Sequence, residues 1–326
     1  MVLVAEALHG ALSGDPDTRR SAILAMLHPD DMAHWNGDST EEGLCGWGIW
    51  PLTTLIGDHG LGSTEMALET LKEITKRGTS EFDVRPFIAA DPGQALPIIA
   101  SWVGDPNHHV RRLVSEGTRP RLPWGIRLQG LVADPAPIIP VLERLRDDPS
   151  EYVRRSVANH LNDIAKDHPD LVADIAWTWM PGADKTREKL LRHACRTLVK
   201  QGHAGALSAF GFCAPDIDEP RVTLTSPVVQ FGQTLEFDVT ICATGKAAQN
   251  LIVDYVIHHQ KADGSLSPKV FKWTTFTLQP GDVRHFSRRH AIKPIKTRRH
   301  YAGTHALSLR INGNDYVNEA FELIME

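Results

Sequence analysis

Two stretches decide the fold: Asp105-Pro-Asn-His-His-Val-Arg-Arg-Leu-Val-Ser-Glu-Gly117 and Asp148-Pro-Ser-Glu-Tyr-Val-Arg-Arg-Ser-Val-Ala-Asn-His160. Both open on Asp-Pro, both place Val-Arg-Arg at the same distance from it, and their starts lie 43 residues apart. That period belongs to stacked helix pairs, in which each repeat buries its apolar stripe against its neighbours. Arg112 and Glu116 are four apart and share one helical face; the offset maps them onto Arg155 and Asn159, with Asp163 one turn further along. Equivalent faces of adjacent repeats therefore present arginine beside polar or acidic groups. The plain reading is a ladder of surface ion pairs, each worth little.

Outward from the repeat, the pattern stays helical up to about Cys213. Apolar residues recur at three and four, as in Ala67, Leu68, Leu71, Ile74 and in Leu190, Leu191, Ala194, Leu198. Joints such as Asp91-Pro92-Gly93, Asp134-Pro135 and Pro181-Gly182 punctuate it, and an Asp-Pro before a helix supplies a capping group with a proline suited to the first turn. From Pro220 the text changes to β-branched and aromatic runs separated by Gly, Pro, Asn and Asp, six or seven of them, a sandwich count. The expected organisation is an all-α repeat domain over 1–213, a linker over 214–219 and an all-β sandwich over 220–326.

Composition narrows the class. Apolar residues make up 42% of 326, enough for buried cores. No apolar run approaches the ~20 residues of a membrane span, and the opening MVLVAEALHGALSGD reads as a helix in place rather than an export signal. The four cysteines (Cys45, Cys195, Cys213, Cys242) form no CxxC pair, so a disulfide framework and a zinc ribbon are unexpected and a reducing, cytoplasmic setting is expected. His108-His109 and His258-His259 fit no zinc-ligand pattern, and no metal or other cofactor is expected. The net charge of −5 argues against a blanket nucleic-acid coat, but it divides unevenly: −7 over 1–78 and +1 over each of 79–214 and 215–326. Seven Lys/Arg fall between Arg284 and Arg299 with no carboxylate among them, as on a face that meets phosphate or on a gatekept edge strand.

The run His109–Trp124 (HVRRLVSEGTRPRLPW) resembles the signature of the AlkC group of bacterial DNA glycosylases, within the HEAT-like-repeat alkylation-repair family that also holds AlkD. Thr79–Phe87 (TSEFDVRPF) and Tyr152–Asp163 (YVRRSVANHLND) agree with it in order and spacing, and the helical resemblance covers about residues 1–210. Some members carry a C-terminal immunoglobulin-like domain, which the β-rich tail resembles. Family members usually have a further helical segment before the region where this chain starts; if that segment is absent, the solenoid end is expected to be uncapped, and a misassigned start would explain the difference as well. What the resemblance implies for function is base excision repair: hydrolysis of the N-glycosidic bond of N3-methylated bases, chiefly 3-methyladenine and secondarily 3-methylcytosine, in double-stranded DNA, without full extrusion of the base. A solenoid that grips DNA needs no symmetry, so a monomer on the nucleoid is the expectation.

The residue types suit that chemistry. An N3-alkylated base is cationic and leaves readily, while the transition state places positive charge on the sugar. Carboxylates stabilise that charge and orient water, and an aromatic face attracts a cation. The positions matching the family's catalytic residues are Glu81, Glu116, Asp163 and Trp124. Each has a plain alternative: Glu81 at a helix start, Asp163 paired with Lys166, Trp124 in Leu-Pro-Trp-Gly plugging a core. Glu116 precedes the helix-ending Gly117, where a carboxylate opposes the helix dipole, a local conflict that points to function. Arg85, Arg112, Arg119, Arg121, Arg154, Arg155 and Arg192 are phosphate candidates, and so are Arg288, Arg289, Arg298 and Arg299 on the sandwich. The rival classes are a non-enzymatic DNA-binding HEAT protein and a scaffold for a protein partner.

Overall fold

The structure, a computed structural model of the chain, describes residues 2–29, 31, 39–295 and 298–325. Helices come first: α1 (Val2–Ala11), α2 (Pro16–Ala25), α3 (Trp50–His59), α4 (Thr64–Thr75), α5 (Arg85–Ala90), α6 (Pro92–Ser101) and α7 (His108–Glu116). They continue with α8 (Gln129–Ala133), α9 (Ile139–Leu145), α10 (Glu151–Ile164), α11 (Pro169–Trp179), α12 (Lys185–Ala194), α13 (Arg196–Gln201) and α14 (Ala204–Ala209). In α4 the stripe Ala67, Leu68, Leu71, Ile74 is wholly buried, as its spacing requires. The run through Leu198 is not one helix: α12 stops at Ala194, and Leu198 is buried from α13.

The Asp-Pro joints act in two ways. Before α6, Asp91 is itself the N-cap and accepts from the Gln94 N–H at 3.1 Å. Before α7 and α10 the caps are Asn107 and Ser150, two residues on, and Asp105 and Asp148 accept the N–H of those caps at 2.8 Å each. These are Asx turns that set the entry of the chain into the helix. Arg111 then ties the repeats together. Its Nε and Nη2 meet the buried Asp148 carboxylate of the next turn at 2.6 and 2.9 Å, and its Nη1 donates to the Asp105 carbonyl at 2.8 Å. Arg154 makes the equivalent bond to the Asp148 carbonyl. In each Val-Arg-Arg the first arginine thus anchors its own turn.

A third helix shares this ladder. α7 packs on α10 and α10 on α12. The N-caps Asn107, Ser150 and Asp184 align Arg112, Arg155 and Lys189 at the fifth position after the cap, and Glu116, Asn159 and His193 at the ninth. α12 has neither Asp-Pro nor Val-Arg-Arg, which is why its sequence does not show the register.

The chain forms two compact units, one of residues 1–172 and 179–196, the other of 173–178 and 197–326. Composition changes over 214–219 and the first strand starts at Arg221, so 197–213 are helical residues packed within the strand-bearing unit. That unit has eight strands: β1 (Arg221–Leu224), β2 (Val228–Gln230), β3 (Thr234–Cys242), β4 (Gln249–Gln260), β5 (Leu266–Leu278), β6 (Val283–Ala291), β7 (Gly303–Ile311) and β8 (Asn314–Ile324). The count exceeds six or seven because the first apolar run breaks into three, at Ser226-Pro227 and at Gly232 (φ +93°). One sheet runs β1-β3-β6 and the other β2-β8-β7-β4-β5; every pairing is antiparallel except β2 with β8. Alternate residues of β3 (Leu235, Phe237, Val239, Ile241) bury against Leu251, Val253, Tyr255 and Ile257 of β4 and Leu307, Leu309 and Ile311 of β7.

Candidate active site

The three acids converge within the helical unit. Glu81 lies in the turn before α5, with its carboxylate accepting from the Thr79 hydroxyl and from Arg112. Glu116 ends α7. Gly117, the residue after it, has no room for a side chain: a Cβ there would lie 2.6 Å from Cγ2 of Val84. Asp163 is buried in the last turn of α10.

Two arginines string these acids together. Arg112 spans Glu81 and Glu116, with Nη2 at 3.7 Å from Glu116 Oε1. Arg119 spans Glu116 and Asp163, with Nη1 at 2.6 Å from Glu116 Oε1 and Nε and Nη2 at 2.7 Å from Asp163 Oδ2. Lys166 closes the chain at 2.9 Å from Asp163 Oδ1, so the local pairing expected from its spacing is present as well. The charges alternate from end to end. Ser156 donates to Glu116 Oε2 at 2.6 Å and Arg112 sits over the Tyr152 ring at 5.0 Å. Burial alone would raise the Glu116 carboxyl, but Arg112, Arg119 and Ser156 hold it below its ordinary value, ionised at neutral pH. Only Oε1 of Glu81 accepts no bond from a described residue.

Two expected phosphate contacts are corrected here. Arg85 is 0% exposed and cannot reach a ligand's backbone. It donates from Nη1 to the Gly117 and Arg119 carbonyls at 2.9 and 2.8 Å and from Nε to the Ile126 carbonyl at 2.8 Å, clamping both ends of the 117–126 loop. Burial first, then Arg119, lowers its pKa to about 10. Arg119 is likewise buried, inside the acid chain. At the tip of the clamped loop Trp124 is 98% exposed with φ +63°, a left-handed conformation that bulky residues rarely adopt. It plugs no core.

The remaining arginines differ in how free they are. Arg112 belongs to the acid chain. Arg121 is held bidentately by Asp167 at 2.6 Å, and Arg154 is tied to its turn. Arg155 is well exposed, with Glu151 at 3.7 Å, and Arg192 pairs with Glu188 at 2.8 Å on the surface. In the sandwich, Arg289 is exposed beside Glu236 at 2.8 Å. Arg288 is the correction there: strand alternation turns it inward, over the Tyr255 ring at 5.7 Å, with its Nε buried. Arg298 is half-buried, Arg299 is exposed over Tyr301 at 5.4 Å, and Lys296 of the same basic stretch lies outside the described residues.

Sequence reasoning missed several neighbours. His160, wholly buried, places Nδ1 at 2.9 Å from the Ser115 carbonyl and leaves Nε2 without a partner; burial and then Arg119 push its pKa down to about 3, so it stays neutral. Asp83, beside Glu81, is pushed up to about 6 by burial and by the like charges of Asp58 and Glu81, against a bond from Thr53. Nothing in their local spacing marks them, because their partners come from other helices. Among the described residues no group of three His, Cys, Asp or Glu could hold a metal ion, and no helix is long and apolar enough to cross a membrane.

A repeat-built helical unit carrying an acid–arginine chain, followed by an immunoglobulin-like sandwich, defines the class: the sandwich-bearing, AlkC-like branch of HEAT-like-repeat proteins. A family model described as "Uncharacterised protein YhaZ, C-terminal Ig-like domain" matches residues 219–325. The chain is 39% identical to the uncharacterized protein YhaZ of Bacillus subtilis over 259 residues, 79% of this chain and 72% of that one. The solved alkylpurine DNA glycosylase AlkC of Pseudomonas fluorescens, bound to DNA containing an abasic-site analogue, matches with a TM-score of 0.72 and 37% identity, over 84% of this chain and 76% of that one. The chain belongs to the AlkC and YhaZ family.

Proposed function

We propose that the protein is a monofunctional DNA glycosylase that hydrolyses the N-glycosidic bond of cationic N3-alkylated bases, 3-methyladenine and 3-methylcytosine, in duplex DNA. The observation that carries it is the alternating chain Glu81–Arg112–Glu116–Arg119–Asp163, which keeps three carboxylates at one place on a repeat face. As the C–N bond breaks, the electron pair leaves with the already positive base, which departs neutral, and the positive charge moves to the sugar. Ionised carboxylates stabilise that charge in a low-dielectric setting. One of them takes a proton from the water that attacks the sugar carbon. No lysine nucleophile is required, so strand cleavage does not follow. Trp124, already outside any core, supplies an aromatic face for the cationic lesion. With the acids fixed in the repeat face, the base is attacked without full extrusion. The helical unit carries the chemistry, and the exposed arginines Arg155, Arg192, Arg289 and Arg299 meet phosphate. The protein works as a monomer in the cytoplasm, on the nucleoid.

Binding without chemistry is the second reading, favoured by the arginines already pairing with all three acids. The experiment is base release from duplex DNA carrying 3-methyladenine, with wild type, Glu116→Gln and Asp163→Asn. Release that drops at least ~100-fold in the variants, with binding retained, supports the glycosylase. Salt-sensitive binding without release by the wild type overturns it in favour of a binding protein.

A further inference from the structure

Down the ladder of helices the ninth position after the cap changes from Glu116 to Asn159 to His193, while the fifth stays cationic as Arg112, Arg155 and Lys189. The face therefore runs from an acidic end to a basic one. At the basic end α10 and α12 form a cavity of about 100 Å³, lined by Arg154, Arg155, Lys189, His193 and Glu151. Lys189 Nζ lies 2.8 Å from Glu151 Oε1 and His193 Nε2 lies 2.9 Å from Asn159 Oδ1. Three fixed positive charges against one carboxylate leave the cavity cationic, and the carboxylate occupies the place an anion would take. Both Lys189 and Glu151 are mostly exposed, at 73% and 54% of their side chains, so neither holds the fold together.

We propose that this cavity seats a backbone phosphodiester of the duplex, with Lys189 and Arg155 as its cationic walls, His193 as a further donor in exchange for its bond to Asn159 Oδ1, and Glu151 as the group it displaces. The proposal rests on the DNA reading above and adds a site to it. Adjacent helices pack roughly 8–10 Å apart and a strand rises about 3.4 Å per nucleotide. The seat, one and a half helix spacings from α7, then lies on the order of four nucleotides along the strand from the base facing Glu116. Such a contact positions the duplex without reading its sequence.

The experiment is titration of a fluorescent duplex containing an abasic-site analogue at several salt concentrations, with wild type, Lys189→Ala, His193→Ala and Glu151→Gln. Lys189→Ala should weaken binding and lower the salt slope by about 0.9. His193→Ala should weaken binding without a comparable change of slope at neutral pH, and Glu151→Gln should tighten it. A wild type that binds with steep salt dependence, unchanged in Lys189→Ala and Glu151→Gln, overturns the phosphate seat and leaves the DNA reading standing. A wild type with no salt-sensitive affinity overturns both. A methylphosphonate about four nucleotides from the lesion should weaken the wild type and leave Lys189→Ala unaffected; equal weakening of both overturns the seat.

Discussion

Trp124 at the tip of the 117–126 loop and Arg85 of α5, which clamps that loop, divide labour, and substitution separates them. Trp124 is fully exposed at positive φ, so Trp124→Gly should stabilise the protein by about 1 kcal/mol through relief of the left-handed penalty, while base release falls. Urea unfolding and single-turnover release measure the two effects independently; parallel losses would mean that the ring is structural. Arg85→Met should do the reverse at the level of stability. It strips donors from three carbonyls in a buried place and should cost on the order of 3 kcal/mol, given about 1–3 kcal/mol for each stranded buried group and partial relaxation. The sequence shows Arg85 in a family motif but cannot show where its guanidinium goes, because its acceptors lie 32 to 41 residues away. Glu116 was more legible. A carboxylate at a helix C-terminus is a local conflict, and the conflict is resolved by Arg112 from the preceding turn of α7 and Arg119 from the following loop.

At the scale of elements, Asp148 is the joint between repeats. Its carboxylate accepts from Arg111 of α7, one repeat earlier, and from the Ser150 N–H of its own turn, so Asp148→Ala removes both and leaves Arg111 partly buried without its carboxylate. A loss of about 3 kcal/mol is expected, near the lower end for breaking a buried pair. The exposed pair Arg121–Asp167 is the control, and Arg121→Ala should cost under ~1 kcal/mol. Denaturation midpoints of the two variants give the comparison, and equal shifts would remove the distinction between joint and surface. The repeat was visible in the sequence because Asp-Pro and Val-Arg-Arg coincide twice. The third rung was not, because Asp184 caps α12 without proline and the register survives only in distance from the cap. In the sandwich, the β-branched and aromatic runs marked where strands lie, but charge alone could not tell Arg288, turned inward, from Arg289 next to it.

Across the whole molecule, buried histidines set the response to acid. His160 in the helical unit and His259 and His290 in the sandwich are held at about 3, 3 and 4 by burial, with nearby cations adding to it. Unfolded, each titrates near 6.5. The unfolded chain therefore binds more protons between those values, so stability is full above about pH 6.5 and falls as pH drops toward 4. Asp83, raised to about 6, opposes this over pH 6 to 4, since the folded state then holds the extra proton. Three groups against one predict net acid lability. The ring of His259 has no hydrogen-bond partner among the described residues, so His259→Leu should lessen the loss of sandwich stability between pH 7 and 5. Unfolding midpoints at the two pH values, showing an unchanged difference, would dismiss that assignment.

The parallel pairing of β2 with β8 has a consequence in time. Val228–Gln230 find their partners at Glu322–Ile324, and β8 is an inner strand of its sheet, lying between β2 and β7. A ribosome must therefore make nearly a hundred further residues after β2 before the sheet can close. The helical repeats carry no such delay, since α7 meets α10 within about forty residues. The acid–arginine chain is thus assembled while the sandwich is still an open ribbon, and a nascent chain stalled before residue 314 would hold a finished acid–arginine chain and an unfinished sheet.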